Sequence, residues 1–169
     1  MKFKSFVLST LAATLLLAAL PAAAATGIWT AVGSTGTVDE SAVGIYSFGG
    51  SNLTYLPASA SLSNIVARYN VTKTWGTSDT PPWTVLEMGY LDSSTMSQVS
   101  ASFIKVNPCN GAETVICTVT GVDNTAPTCN RCVFAAGTIN FAASLYYVQV
   151  TLSRTSAAVS PQLLTLDIQ

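Results

Sequence analysis

The sequence contains no histidine. This absence removes the commonest general base of enzymes, the usual partner of a catalytic serine or cysteine, and a favoured ligand of zinc, copper and iron. No serine lies in a Gly-x-Ser-x-Gly setting, and no glycine-rich phosphate loop precedes a predicted helix. The sequence therefore predicts no catalytic residue, no metal site and no cofactor.

Charged residues are also scarce, at 9% of the chain against about a quarter in an ordinary globular domain. No stretch concentrates lysine or arginine, so we expect neither nucleic acid nor anionic lipid as a partner. Serine and threonine replace charge on the predicted surface. Such surfaces are common in exported β proteins and in subunits that pack against copies of themselves.

The first 25 residues have the pattern of an export signal. Lys2 and Lys4 form a short basic start, and the apolar run from Phe6 to Leu20 carries no charge. Pro21 ends the run, and Ala23–Ala25 place small residues where a signal peptidase cleaves. The run is too short for a stable membrane span, and no stop-transfer pattern follows it.

Cleavage after residue 25 predicts an exported protein of residues 26–169, which is the length of a single domain. Loss of the two N-terminal lysines leaves five basic residues against eight acidic ones, a net charge of −3. We expect this protein in the periplasm, on the cell surface or outside the cell.

Past residue 26, apolar and polar residues alternate as in half-buried strands, and no segment shows the apolar period of a helix. The clearest run ends at Arg154, and its predicted core-facing residues are Tyr146, Val148, Val150 and Leu152. The apolar sets of the other runs are Ile65, Ala67, Tyr69 and Val71; Leu86, Met88 and Tyr90; Val115, Cys117 and Val119; and Leu164, Leu166 and Ile168. Glycine-, proline- and asparagine-rich turns separate the runs. This pattern predicts an all-β, antiparallel β-sandwich of jelly-roll-like form with eight to ten strands.

Four cysteines, Cys109, Cys117, Cys129 and Cys132, predict two disulfides in an exported chain. A tight hairpin at residues 108–112 would place Cys109 in the turn and Cys117 well down the second strand. At about 3.4 Å per residue these two would lie too far apart to bond. Crosslinks from Cys109 and Cys117 to Cys129 and Cys132 are therefore favoured, although an irregular loop would restore Cys109–Cys117 with Cys129–Cys132.

The spacing of Cys129 and Cys132 also matches the C-x-x-C motif of redox proteins. That motif acts at a helix start, where the helix dipole lowers a thiol pKa, and no helix is predicted here. A four-cysteine zinc site would need two close pairs, and the chain has one. Neither alternative is favoured over structural disulfides.

Two tryptophans, Trp75 and Trp83, bracket a polar loop that contains Asp79 and two prolines. Exposed aromatic rings stack on sugar faces, and carboxylates and hydroxyls bond sugar hydroxyls, so these three residues are the candidate ligand-binding residues. The alternative interpretation is that both rings fill the ends of the sandwich, since large aromatic residues are mostly buried.

The acidic residues offer a second alternative, because a glycosidase needs two carboxylates that face each other across a cleft. Glu87 and Asp92 lie on or beside one predicted strand, and Asp39 and Glu40 lie in a loop. Solvated acids that keep the protein soluble are the favoured interpretation. The absence of an Asp-x-Asp spacing near Asp123 also disfavours a calcium site.

The C-terminal pattern Tyr-Tyr-Val-x-Val-x-Leu-x-Arg at residues 146–154, followed by Pro161–Leu163 and Leu-x-Leu-x-Ile at residues 164–168, resembles the closing strands of small uncharacterised bacterial exported β-sandwich proteins. The resemblance implies the fold and not a function.

Three functional hypotheses result. The first is a non-enzymatic binding or adhesion module, with carbohydrate as a possible ligand. The second is a structural subunit of a surface filament or coat, built from copies of itself through donated strands. The third is a small carboxylate-dependent hydrolase that uses Glu87.

Overall fold

The computed structural model describes residues 27–74, 76 and 78–169, so the predicted export signal lies outside the described residues. The described chain forms two antiparallel β-sheets that pack face to face, which confirms the predicted antiparallel β-sandwich of jelly-roll-like form. It contains eleven strands rather than eight to ten. The number is higher than predicted because the first three strands have only two to four residues, which is too short to show an alternating pattern.

In chain order the strands are β1 (Trp29–Val32), β2 (Thr37–Val38), β3 (Tyr46–Gly49), β4 (Asn52–Tyr55), β5 (Ile65–Val71), β6 (Val85–Asp92), β7 (Ser97–Val106), β8 (Glu113–Thr120), β9 (Asn124–Val133), β10 (Leu145–Arg154) and β11 (Gln162–Ile168). Two short 3₁₀ helices, Gly33–Thr35 and Glu40–Ala42, lie on either side of β2. Over residues 27–74, 76 and 78–169, no helix has the length and apolar character that crossing a bilayer would require.

One sheet, here called sheet A, has the strand order β3-β4-β11-β6-β9, and β1 also pairs with β11. The other, sheet B, has the order β2-β5-β10-β7-β8. Strands β1 and β4 share one side of β11, with β4 at residues 162–163 and β1 at residues 165–168. The two closing strands, β10 and β11, therefore lie in opposite sheets.

The core lies between the two sheets, and the predicted inward residues of β5, β6 and β10 are all buried there. In β8 and β11, an irregularity in the pairing with a neighbouring strand changes which residues face the core. On β11, the irregularity between residues 163 and 165 buries Leu163, whereas Leu164 is only partly buried. Beside β8, the irregularity at residues 103–104 turns Val115 to the outside, where it is 58% exposed. The predicted inward positions of Leu164 and Val115 are therefore wrong.

Candidate functional site

The loop before β6 holds the residues that the sequence indicates as ligand-binding. Trp75 lies outside the described residues. Asp79 is exposed, and its carboxylate accepts a 2.7 Å hydrogen bond from Lys73 Nζ. Trp83 is only 2% exposed, and its ring meets the Phe141 ring edge to face at 6.1 Å. Trp83 thus fills one end of the sandwich and offers no open ring face to a ligand.

The cysteines form one disulfide where the sequence predicts two. Cys117 on β8 is bonded to Cys132 on β9, which agrees with a crosslink between the two halves of the cluster and joins the sheets. Cys109 and Cys129 are exposed free thiols. Cys109 lies at the β7–β8 turn, as the hairpin interpretation predicts. Cys129 is three residues before Cys132 on a strand, so its side chain points to the opposite face.

The structure does not bring Glu87 and Asp92 together as the alternative of a carboxylate pair would require, and Asp92 is not a solvated acid either. Glu87 points outward from sheet A, whereas Asp92 is 1% exposed and accepts a 2.5 Å hydrogen bond from Ser97 Oγ. The register instead places Asp167 of β11 opposite Glu87. Burial, and next the charge of Glu87, raise the pKa of Asp167. Within the described part of the chain, no group of three or more Cys, Asp or Glu side chains is arranged to hold a metal ion.

The outer surface of sheet B is a mostly polar face that spans five strands, with Val66, Ile104 and Val115 as its apolar residues. Its residues alternate along each strand with residues of the core, because successive side chains point to opposite sides of a sheet. We call this surface the sheet B face and define it by three rows that cross the strands in register. The central row is Thr37, Arg68, Gln149, Ser102 and Thr118; the flanking rows are Asn70, Tyr147, Ile104 and Val115, and Val66, Thr151, Ser100 and Thr120.

Tyr147 is the aromatic residue of the sheet B face. It is half-buried and lies in register between Asn70 and Ile104. Its hydroxyl donates a 2.8 Å hydrogen bond to Glu113 Oε1. Burial, followed by this bond, raises the pKa of Tyr147, whereas Arg68 acts to lower it. The ring is therefore held against the sheet and stays uncharged at neutral pH.

A cleft of about 260 Å³ opens at the edge of this face, where β1 of sheet A approaches β2 and β5 of sheet B. We call it the edge cleft; it is lined by Trp29, Thr30, Ala31, Thr35, Thr37, Arg68, Tyr69 and Asn70. Strand β2 pairs with β5 only at Ala67 and Arg68, which leaves this side of β5 open beyond Arg68. Since Thr37, Arg68 and Asn70 belong to both the cleft and the sheet B face, the two form one continuous polar surface.

Two close contacts fix the inner wall of the edge cleft. The Tyr69 hydroxyl donates a 2.5 Å hydrogen bond to the Gly33 carbonyl, and burial raises the pKa of Tyr69 far above its usual range. A Cβ at Gly36 would overlap the Tyr69 ring. Glycine at residue 36 therefore allows the chain before β2 to lie directly on this ring.

Arg68 supplies the charge at the junction of the cleft and the face. Its Nη1 lies 3.4 Å from Asp39 Oδ2, and both side chains are roughly half exposed. The Asp39 carboxylate also accepts a bond from the Ser41 backbone N–H, and this bond is the main cause that lowers the pKa of Asp39. A guanidinium has five N–H donors, so Arg68 keeps donors that can reach a ligand hydroxyl.

A second cavity, of about 420 Å³, lies beside the start of β6 and is lined by Gly27, Ile28, Pro82, Trp83, Thr84, Val85, Arg131 and Gln169. Its aromatic residue is the nearly inaccessible Trp83. Arg131 is the charged side chain that lines this cavity. Its lining thus has fewer polar side chains, Thr84, Arg131 and Gln169, than that of the edge cleft, and its aromatic ring is almost fully buried.

The sheet B face is not among the sites that the sequence predicts. The alternating pattern correctly places Tyr147, Gln149 and Arg68 on the outward side of their strands. The missing information was the strand order and register, because these three residues become neighbours only when β5 pairs with β10.

Neither a protein-family model nor a curated protein matches the chain. Among solved structures, it is similar to a xylan-binding module CBM15, with a TM-score of 0.49, 13% identity, and coverage of 85% of this chain and 95% of that chain. It is also similar to a structure of infectious bursal disease virus, Gt strain, with a TM-score of 0.35, 13% identity, and coverage of 84% of this chain and 31% of that chain.

Proposed function

We propose that the protein is an exported, non-enzymatic binding module that holds a carbohydrate on the sheet B face and in the edge cleft. The observation that carries this proposal is the position of Tyr147. Its half-buried ring lies between Asn70 and the apolar Ile104, beside the central row, which contributes the guanidinium of Arg68 and the amide of Gln149. An aromatic ring with hydrogen-bonding groups around it suits a sugar, which has apolar C–H faces and polar hydroxyl edges.

The composition of this surface supports the same ligand class. Arg68 is the one charged side chain in the three rows of the sheet B face. Neutral hydroxyls and amides can exchange their hydrogen bonds with water for bonds with sugar hydroxyls, and they do not attract a highly charged ligand. The predicted export signal supports a place of action outside the cytoplasm, where polysaccharides are exposed.

The proposal is tested by affinity electrophoresis of residues 26–169 through gels that contain xylan, soluble cellulose derivatives, mannan or starch. We expect at least one neutral polysaccharide to retard the protein, and Tyr147→Ala to weaken that binding about tenfold or more, because aromatic residues often dominate binding energy. Phe48→Ala is the matched control, since Phe48 is an exposed aromatic residue on β3 of sheet A.

Two outcomes would contradict the proposal. Failure of all these polysaccharides to retard the wild-type protein would remove carbohydrate binding. Loss of binding in Trp75→Ala, with full binding in Tyr147→Ala, would move the site from the sheet B face to the loop before β6. Circular dichroism of each variant shows whether the fold is retained.

A further inference from the structure

The central row of the sheet B face crosses every strand of sheet B. It runs from Thr37 on β2, through Arg68 on β5, Gln149 on β10 and Ser102 on β7, to Thr118 on β8. Neighbouring strands lie about 4.8 Å apart, so four steps give a row of about 19 Å. This length exceeds one sugar ring several-fold.

Each position of the central row carries a hydrogen-bonding side chain. Ser102 Oγ and Thr118 Oγ1 lie 2.9 Å apart and bond each other, which orients both hydroxyls at the β8 end. Each of these hydroxyls keeps a further lone pair for a ligand. Hydrogen-bonding groups thus recur along the row at the spacing of the strands. A regular series of this kind suits a polymer of repeating units.

The β2 end of the row opens into the edge cleft through Thr37 and Arg68. The cleft volume of about 260 Å³ is slightly below the range of roughly 300–1,000 Å³ that drug-sized ligands occupy. It therefore has room for a single sugar unit, and the rest of a longer ligand would lie on the open face.

The charges around the row favour neutral sugars. Arg68 is accompanied by Asp39, whose carboxylate lies 3.4 Å away, and Glu113 bonds the Tyr147 hydroxyl on the adjacent row. The two carboxylates outnumber the single guanidinium, so an acidic sugar chain meets net repulsion here.

We infer that the ligand is a linear, neutral polysaccharide that lies across the five strands of sheet B, along the central row, with one unit in the edge cleft. This inference rests on the proposed carbohydrate-binding function and specifies its ligand. It differs from recognition of a single sugar, and from a chain that lies parallel to the strands.

The chain-length dependence of affinity tests the inference. We would titrate residues 26–169 with β-1,4-linked gluco-, xylo- and manno-oligosaccharides, from mono- to hexasaccharide, by isothermal calorimetry. In the series that binds, each added unit is expected to strengthen binding by roughly fivefold until the row is filled, since one hydrogen bond contributes a factor of about this size. Equal affinity for mono- and hexasaccharide would overturn the inference and leave the proposed function standing.

A pair of variants on β8 tests the direction of the chain. Thr118 lies at the far end of the central row, and Thr120 is its exposed neighbour on the same side of the same strand, in a flanking row. Thr118→Ala should weaken hexasaccharide binding about fivefold and leave disaccharide binding unchanged, whereas Thr120→Ala should change neither. Equal losses in both variants would place the chain along the strand and overturn the crosswise arrangement.

Polygalacturonate is the probe for charge. We expect it to bind more weakly than the neutral oligosaccharides at low ionic strength. Tighter binding of polygalacturonate that 0.5 M salt abolishes would overturn the inference of a neutral ligand while retaining carbohydrate binding. Failure of the wild-type protein to bind any of these sugars would remove both the inference and the proposed function.

Discussion

The guanidinium of Arg154 lies over the ring of Tyr55, with its central carbon 3.8 Å from the ring centroid. Arg154 is 4% exposed, and its nitrogens donate to the carbonyls of Ser59, Ser61 and Val159 at 2.6–3.0 Å. Among the described residues, no carboxylate lies within ion-pair distance of it. Backbone carbonyls and an aromatic ring therefore stabilise this buried charge. The hydrogen bonds of Arg154 also hold the loop before β5 and the loop after β10 against the end of β10.

This arrangement predicts that Arg154→Lys destabilises the fold by about 3 kcal/mol, because one ammonium cannot reach all three carbonyls and leaves buried polar groups unsatisfied. Urea unfolding followed by tryptophan fluorescence gives the free energy of unfolding. Arg131→Lys is the control, since Arg131 is exposed, and we expect a change below about 0.5 kcal/mol there. Equal unfolding midpoints for wild type and Arg154→Lys would show that the contacts of Arg154 contribute nothing.

The cysteine arrangement makes a prediction about thiol counts. Alkylation of the native protein without reductant should modify Cys109 and Cys129 and spare the bonded pair Cys117 and Cys132. Intact-mass measurement should therefore show two adducts, and four after reduction and unfolding. Four adducts without reductant would contradict the disulfide, and none would indicate a second bond.

The disulfide should also contribute to stability. It closes a loop with a sequence separation of 15, for which the chain-entropy account gives about 3 kcal/mol. Replacement of both Cys117 and Cys132 by alanine should lower the free energy of unfolding by about this amount. The double replacement of Cys109 and Cys129 is the matched control and should have little effect, because both side chains are exposed.

The alternating sequence pattern predicts the interior better than it predicts the surface site. The inward faces of β5, β6 and β10 can be read from the sequence, because burial on one side of a sheet imposes a two-residue period. The pattern fails at Val115 and Leu164, where irregular pairing with a neighbouring strand changes which side faces the core. Such irregularities depend on the partner strand and leave no local signal in the sequence.

The candidate site was harder to predict because it depends on long-range pairing. The edge cleft combines Thr30 of β1, Thr37 of β2 and Asn70 of β5, which belong to both sheets. Nothing in the separate segments indicates that they meet. The tryptophan-rich loop gave a stronger local signal, yet burial of Trp83 shows that a large aromatic residue in a loop can serve packing alone.

The opposed carboxylates Asp167 and Glu87 predict a pH dependence of stability. The folded-state pKa of Asp167 is raised, so the folded state binds the proton more tightly than the unfolded state does. The contribution of Asp167 to stability should therefore fall as pH rises from the unfolded value of 3.8 through the folded pKa, and it should remain lower above that pKa. Solvent screening keeps the effect below about 1 kcal/mol.

Asp167→Asn should remove this decline and stabilise the protein modestly at pH 7, and Glu87→Gln should act in the same direction because it removes the like charge. Thermal unfolding from pH 3 to pH 8 measures both effects. Glu40→Gln, at an exposed acid on a 3₁₀ helix, is the control. A loss of stability in Asp167→Asn at pH 7 would contradict the unfavourable pairing.

Gly36 lies against the ring of Tyr69, which forms the inner wall of the edge cleft. A substitution at residue 36 should therefore affect both stability and binding. In Gly36→Ala, the new Cβ would overlap the buried ring, which is also held by its bond to the Gly33 carbonyl. Either the ring or the chain before β2 must move, so we expect a loss of about 2 kcal/mol of stability, as in other overpacked sites, and weaker carbohydrate binding.

A double-mutant cycle separates this contact from a general effect of the substitution. Tyr69→Leu removes the ring that the Cβ would overlap, so Gly36→Ala should cost less in the Tyr69→Leu background than in the wild-type protein. The expected coupling is about 1 kcal/mol or more, measured by urea unfolding. If the free-energy changes of the two single variants add up to that of the double variant, the side chain at residue 36 does not contact the Tyr69 ring. Wild-type binding by Gly36→Ala would mean that the ligand does not depend on the shape of the edge cleft.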